Sequence, residues 1–317
     1  MSTSSTTPQS GVGGHPAAAP GPRAEHRRRG DGLPALAFLT PSIVTFLVFV
    51  LAPTVGVLVL SFYDWNLLSD GTFVGLDNFD RLAHDERLLG VYGSTTYMAL
   101  VILAVNVAVG LLLAVLLETR MPAWLRGFFR LSFLFPFVVS ASAVALIWRF
   151  LLNKDLGLVN YLLGLLHVDR IDWLGSSAFA PVSVILVSSW KTIGFSILVY
   201  IAGLQSIPAQ LKEAAIVDGA NAWTRFWRIT FPLLSPTIFF LVVINTINSF
   251  QIFAEPRVLT QGGPGDASRT IVEYLYDRAF GDFDLGYASA IGITFTLVLI
   301  VLTAIQFRLS RRWTYYE

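Results

Sequence analysis

The sequence contains no cysteine, only four histidines and three methionines, and little charge, with 14% of its 317 residues being Asp, Glu, Lys or Arg. Without cysteine there can be no disulfide, no thiolate metal ligand and no thiol nucleophile. His15, His26, His84 and His167 lie outside the long apolar runs and show no metal-ligand spacing, so no metal site is expected. No His, Asp or Glu constellation of the kind an integral-membrane enzyme needs is present, so no catalytic residue is assigned and the chain is read as a non-enzyme. The glycine cluster Gly262-Gly263-Pro264-Gly265 lacks the following Lys-Ser/Thr of a phosphate-binding loop and reads as a turn. The formal net charge of +1 says nothing about partners, and nucleic acid is not among those expected.

What is abundant is apolar surface. Hydrophobic residues make up 54% of the chain and the mean hydropathy is +0.64, which excludes an ordinary soluble domain. Charge-free runs cover Leu33–Tyr63, Tyr97–Leu117, Leu131–Trp148, Leu233–Ala254 and Tyr287–Phe307, and Pro181–Gln205 is interrupted only by Lys191. Each is long enough to cross a bilayer, which takes about 20 residues. The expected fold is therefore an all-α integral membrane protein with six transmembrane helices and both termini on one side. Pro41 and Pro53 in the first span predict kinks there. Residues 1–32, rich in Ser, Thr, Pro, Gly, Ala and Arg, have no apolar period and are expected to be a disordered tail. The span at Leu33 is too long for a signal peptide and lacks a cleavage site.

Charge is distributed unevenly over the loops. The N-terminus, the loops after spans two and four and the C-terminus hold thirteen basic residues, among them Arg27, Arg28, Arg29, Lys212, Arg225, Arg228 and Arg308; the opposite loops hold seven. The positive-inside rule then places both termini and the loop 206–232, between spans four and five, in the cytoplasm.

That loop carries the densest pattern in the chain, EAAIVDGANAWTRFWRITFPLLSP over 213–236. It reads as two short helices about a glycine. Pro208 can open the first, Gly219 can close it with a left-handed residue, Asn221 can cap the second, and Pro232 is expected to stop it. Asp218 sits near a helix C-terminus, where negative charge is unfavourable, which suggests that it serves a partner. The alternative is an ordinary amphipathic connector. Glu213-Ala214-Ala215, Asp218-Gly219-Ala220, then Ile229, Pro232 and Pro236 resemble the EAA loop of binding-protein-dependent ABC importer permeases, in its sugar-type version. Phe231 departs from the Leu usual there. Two outer-loop segments, Phe73–Phe79 and Leu259–Phe280, also resemble the sugar-type permeases, the latter particularly the maltose and glycerol-3-phosphate kind.

The resemblance, from about Leu33 to Arg308, implies a permease domain over 33–317, in the cytoplasmic membrane of a bacterium or archaeon, that moves a carbohydrate or related polyol phosphate by alternating access. It implies a second similar permease subunit, two cytoplasmic ATPases and an external solute-binding protein, in a lipid membrane. ATP and Mg belong to the partner ATPase, and no cofactor is expected in this chain. Glu213, Ala214, Ala215, Asp218, Gly219, Ala220 and Phe226 are then the expected ATPase-coupling residues.

The polar residues inside the spans are candidates for a substrate path. Lys191, beside Trp190, lies about 15 Å from the start of span four at 1.5 Å per residue, near the bilayer midplane. A charge there needs a partner, either another subunit or the transported solute. On span five, Asn245, Asn248, Gln251 and Glu255 recur at three- and four-residue spacing and share one helix side. Asn245 is read as helix–helix glue, while Asn248 and Gln251 are read as lining a cavity. Asn106, alone in span two, could bridge helices or bond a neighbouring carbonyl, and is read as doing the latter. An ABC permease for another solute is the nearest alternative. A secondary transporter is less favoured because internal repeats and clustered intramembrane carboxylates are missing.

Overall fold

The computed structural model describes residues 32–66, 70–118 and 122–311. The expected disordered tail lies outside this range up to residue 31, as do Arg120 and Arg312 of the charge count. The chain divides after Pro53 into two compact units. The first is helical from Gly32, and from Phe38 to Pro53 every residue is exposed. It contributes most of α1 (Phe38–Leu60), whose mean hydropathy of 2.7 marks it as a candidate span.

The second unit contains α2 (Glu86–Leu117), α3 (Trp124–Val138), α4 (Ala141–Leu151), α5 (Ala180–Ser206), α6 (Ala209–Val217), α7 (Ala222–Leu259) and α8 (Leu285–Ser310). With α1, five of these are long and apolar enough to cross a membrane, and the bent pair α3–α4 brings the number to six if it is one span. Helix α5 is the centre. Its most apolar window is 56% buried, against 28% for α2 and 33% for α8. Ser183, Ser188, Gly194 and Ser196 are all buried on α5, and small residues of this kind let helix backbones approach closely in lipid. The tightest approach is at Gly194, where a Cβ would lie 1.8 Å from the Phe133 carbonyl oxygen of α3.

The expected single span Leu131–Trp148 is instead two helices meeting at 102°. Val139 (ψ 145°) and Ser140 (ψ 132°) are extended. The two halves have different partners: α3 packs along α5, and α4 packs against the last turns of α7 at Ala254–Leu259. Hydropathy records length and not direction, so the bend is invisible to it.

Pro232 departs from expectation, and Pro53 shares its local geometry. Pro232 does not stop a helix, because α7 runs through it, and Pro53 sits within the continuous α1. Each follows a π-helical turn, Leu47–Leu51 or Phe226–Thr230. The residue before each proline donates five residues back, Ala52 to the Leu47 carbonyl and Phe231 to the Phe226 carbonyl. The wider turn makes room for a ring that would clash with the carbonyl four residues back.

The connections collect at two ends of the second unit. At one, Arg81 pairs with Asp284 (2.7 Å), Arg87 with Asp266 (2.6 Å), and Trp173 and Leu174 pack on the cluster containing Leu152 and Leu259. At the other, Glu118 accepts from Arg130 (2.6 Å) and Gln205 (3.2 Å), next to α6.

Candidate functional site

The loop at 206–232 is built from local caps. After extended Ile207 and Pro208, α6 begins at Ala209. It closes with Gly219 at φ +78°, the left-handed conformation that glycine takes at no steric cost. The Gly219 N–H donates to the Ile216 carbonyl (3.0 Å) and the Ala220 N–H to the Ala215 carbonyl (2.9 Å), the paired bonds of a Schellman cap. Asn221 then accepts from the Thr224 N–H (2.8 Å), capping α7, and Arg225 donates to the Ala220 carbonyl (2.7 Å). Lys212 ties the loop to the end of α5 through the Leu204 carbonyl (3.2 Å).

Of the seven residues singled out, Glu213, Ala214, Asp218 and Gly219 are exposed, Ala215 is buried, and Ala220 and Phe226 are half-buried. Neither Glu213 nor Asp218 has an ion-pair partner among the described residues. Beside them Ile216 and Val217 stand 56% and 87% exposed. Carboxylates without partners next to bare apolar side chains are what a surface awaiting another protein looks like.

A second feature lies deeper. A polar cavity of about 20 Å³ sits among α2, α5 and α7, lined by Asn106, Ser188, Thr192, Asn245, Asn248 and Glu255. That is room for about one water molecule. Asn106 is its hub. Its Nδ2 donates to Thr192 Oγ1 (2.8 Å) and to Asn245 Oδ1 (3.0 Å), and Asn245 in turn donates to Ser196 Oγ (3.1 Å). The reading of Asn106 as bonding a neighbouring carbonyl is therefore corrected: it bridges three helices. Asn106 Oδ1 and Ser188 Oγ are buried without a hydrogen-bond partner among the described residues.

The stripe on span five is only partly one helix face. Regular helix ends at Phe250, residues Gln251 to Phe253 break it, and helix resumes at Ala254. The break leaves Gln251 exposed and off the cavity, while Glu255 is buried and lines it. Lys191 and Trp190 also lie off the cavity. The Lys191 Nζ sits 5.8 Å from the Phe137 ring centroid, and Trp190 packs edge-on against Trp148 at 5.5 Å. Ser188 and Thr192, one turn apart on α5, do line the cavity, and isolated hydroxyl residues in an apolar helix carry no pattern in sequence that marks them.

At the opposite end from α6, a charged cluster fixes the loop 259–284. Asp266 accepts from Arg87 and from Arg269, and these hydrogen bonds hold its carboxyl below the usual range. Asp277 joins Arg269 to Arg257. Burial pushes the carboxyl of Glu273 up, although Arg269 and Arg257 oppose it. At the start of α2, burial works to raise Asp85, but hydrogen bonds from Tyr287 and Tyr274 outweigh it and the net shift is downward.

Five to six helices long and apolar enough to cross a membrane mark an integral membrane component. Comparison makes this specific: residues 106–315 match the binding-protein-dependent transport system inner membrane component family, and the chain belongs to it. It is similar to the probable ABC transporter permease protein YurN of Bacillus subtilis (36% identity, 86% of this chain, 94% of the relative). It is also similar to the sn-glycerol-3-phosphate transport system permease protein UgpA of Agrobacterium fabrum (35% identity, 77% and 83%). Among solved structures, a bacterial alginate ABC transporter in complex with an alginate pentasaccharide-bound periplasmic protein superposes with a TM-score of 0.79 (28% identity, 89% of this chain, 95% of that one).

Proposed function

We propose that this chain is the permease subunit of an ATP-driven importer that moves a carbohydrate or related polyol phosphate across the cytoplasmic membrane by alternating access. The observation that carries this reading is the course of α7. It starts at the Asn221 cap inside the loop, passes Pro232 without a break, and carries Asn245 and Asn248 to the polar cavity. From Ala222 to Asn248 that is about 39 Å of helix at 1.5 Å per residue. A push on the loop is delivered to the cavity along one helix.

In this reading the bent pair α3–α4 is the third of six spans. It runs from the end holding Glu118 to the end holding Leu259, and both chain termini then lie in the cytoplasm with the loop 206–232. Two cytoplasmic ATPases supply ATP and Mg chemistry and dock on Glu213, Ala214, Asp218 and the exposed side chains beside them. A second permease completes the path, and an external solute-binding protein delivers the substrate. Such a protein accompanies the alginate transporter. Glu255 lines the cavity while Lys191 does not, which favours a hydroxyl-rich neutral solute over a phosphate at this position.

Reconstitution into vesicles with its ATPases, partner permease and solute-binding protein tests the proposal. Uptake of the sugar held by that binding protein should require ATP and the binding protein. Uptake driven by an ion gradient without ATP would establish a secondary transporter instead.

A further inference from the structure

An apolar groove of about 460 Å³ lies between α2 and the first turns of α7. Leu111, Leu112 and Val115 form one wall and Trp223, Phe226 and Trp227 the other, with Ala108 at one end. The aromatic wall is held by ring contacts: Trp223 to Trp227 at 5.6 Å and Trp227 to Phe231 at 5.0 Å, over the π-helical turn Phe226–Thr230. The groove is nonetheless open, with Trp223, Trp227 and Leu112 exposed.

The chemistry of the walls selects the occupant. The lining is aliphatic and aromatic, with the indole N–H groups of Trp223 and Trp227 its only side-chain donors and no acceptor, so a sugar or an extended peptide would lose most of its hydrogen bonds to water. A helix satisfies its own backbone, but at a diameter of 10–12 Å and a pitch of 5.4 Å the volume holds only about one turn of it. An alkyl chain has neither difficulty. The groove is also continuous with the outward side of α2, where Leu112 and Leu116 are 57% and 48% exposed. Trp223 and Trp227 place indoles at its rim, as interfacial aromatic residues do. Arg228, next to Trp227, is exposed and has no acceptor among the described residues.

We propose that this groove holds one acyl chain of an anionic phospholipid from the leaflet on the side of the loop 206–232, with the lipid phosphate at Arg228. The chain fills the space between α2 and the π-helical turn, and so braces the start of α7 where it leaves the loop. The proposal stands on the groove alone and does not depend on what the transporter carries.

The test uses the whole importer in nanodiscs of phosphatidylcholine doped with a phosphatidylglycerol that bears a photoreactive diazirine on its acyl chain. After irradiation, adducts are mapped by peptide mass. The outward side of α8, with Leu297, Ile300 and Ile305 exposed, serves as the bulk-lipid reference. Adducts should concentrate several-fold over that reference in 108–115 and 222–231. Arg228→Gln should lower the preference for phosphatidylglycerol over a matched phosphatidylcholine probe about fivefold, the effect of one arginine near an anionic surface. Ala108→Trp should remove the groove adducts and leave those on α8. Equal labelling of groove and α8 in the wild type overturns the proposal without any variant. So does a cross-link from position 223 to another polypeptide in place of lipid.

Discussion

Asn106 on α2 and Asn245 on α7 are 139 residues apart in sequence and joined carboxamide to carboxamide at 3.0 Å. The same Asn106 nitrogen reaches Thr192 on α5, so one side chain fixes the mutual rotation of three helices around the polar cavity. Interhelical hydrogen bonds in membranes average about 0.6 kcal/mol and reach about 1.7. Asn106→Leu removes two of them and leaves Asn245 Oδ1 unpaired. The purified complex should therefore lose about 1–3 kcal/mol, seen as a lowered thermal midpoint. An unchanged midpoint would show that the three helices are held by packing alone.

Topology is open to a direct test because the protein has no cysteine background. Asp155 lies in the loop expected outside and its side chain is 74% exposed; Val217, on the loop 206–232, is 87% exposed. Asp266 is a poorer reporter, since Arg87 and Arg269 hold it. In intact cells a membrane-impermeant maleimide should label Asp155→Cys and spare Val217→Cys until the membrane is opened. The reverse pattern would sink the orientation and the coupling role together.

In the proposed function, coupling rests on a backbone conformation at Gly219. Its φ of +78° costs a side-chain-bearing residue about 1–2 kcal/mol, and a β-branched one more. That is enough to unmake the Schellman cap and misdirect α7, but far too little to unfold the helix bundle. Gly219→Val should insert and assemble normally, yet lose ATP hydrolysis stimulated by the loaded binding protein. Glu213→Lys should do the same by reversing charge on an exposed carboxylate. Full stimulation in either assembled variant would falsify the coupling role.

These loop features were legible in the sequence because each is local. Pro208, Gly219 and Asn221 act within a turn of themselves, and their caps follow from residue type and spacing. The cavity was not legible. Nothing in the composition of α2 says that Asn106 turns towards Asn245, and apolar periodicity is weak in helices hydrophobic all round. Lys191 shows the same limit from the other side: counting residues gave its depth, but only packing gives its rotation, onto Phe137. The passage of α7 through Pro232 was hidden because a π-helical turn leaves no signature in residue type.

Stability of the loop 259–284 should depend on acid. Asp266 has its folded carboxyl below its ordinary value of 3.8 because Arg87 and Arg269 donate to it. A depressed carboxylate stabilises the fold at pH values above its unfolded pKa, and that contribution is lost as pH falls through the lower folded value. Arg87 is half exposed, so screening keeps the contribution to about 1 kcal/mol. Asp266→Asn should lower the melting midpoint at pH 7, and the gap from wild type should close below about pH 4. A gap constant down to pH 3 would assign the loss to packing and not to charge.

The polar residues along the spans can be sorted by uptake. Asn248 lines the cavity and is exposed on α7, so it is available to a solute hydroxyl. Losing one neutral hydrogen bond is worth about 0.5–1.5 kcal/mol, which predicts a fall in uptake of about two- to tenfold for Asn248→Ala, with assembly and basal ATP hydrolysis intact. Gln251 ends the regular helix off the cavity, and Gln251→Ala should change uptake less. Lys191 packs on the Phe137 ring, so Lys191→Met keeps most of its apolar contact and should leave uptake within about twofold. Glu255 is the contrasting case: it is buried in the cavity, and Glu255→Gln keeps its shape while removing its charge. If the carboxylate disfavours anions in the path, Glu255→Gln should raise the uptake of an acidic sugar relative to its neutral analogue when one binding protein delivers both. A ratio unchanged by Glu255→Gln, together with a loss in Lys191→Met, would move charge selection from Glu255 to Lys191.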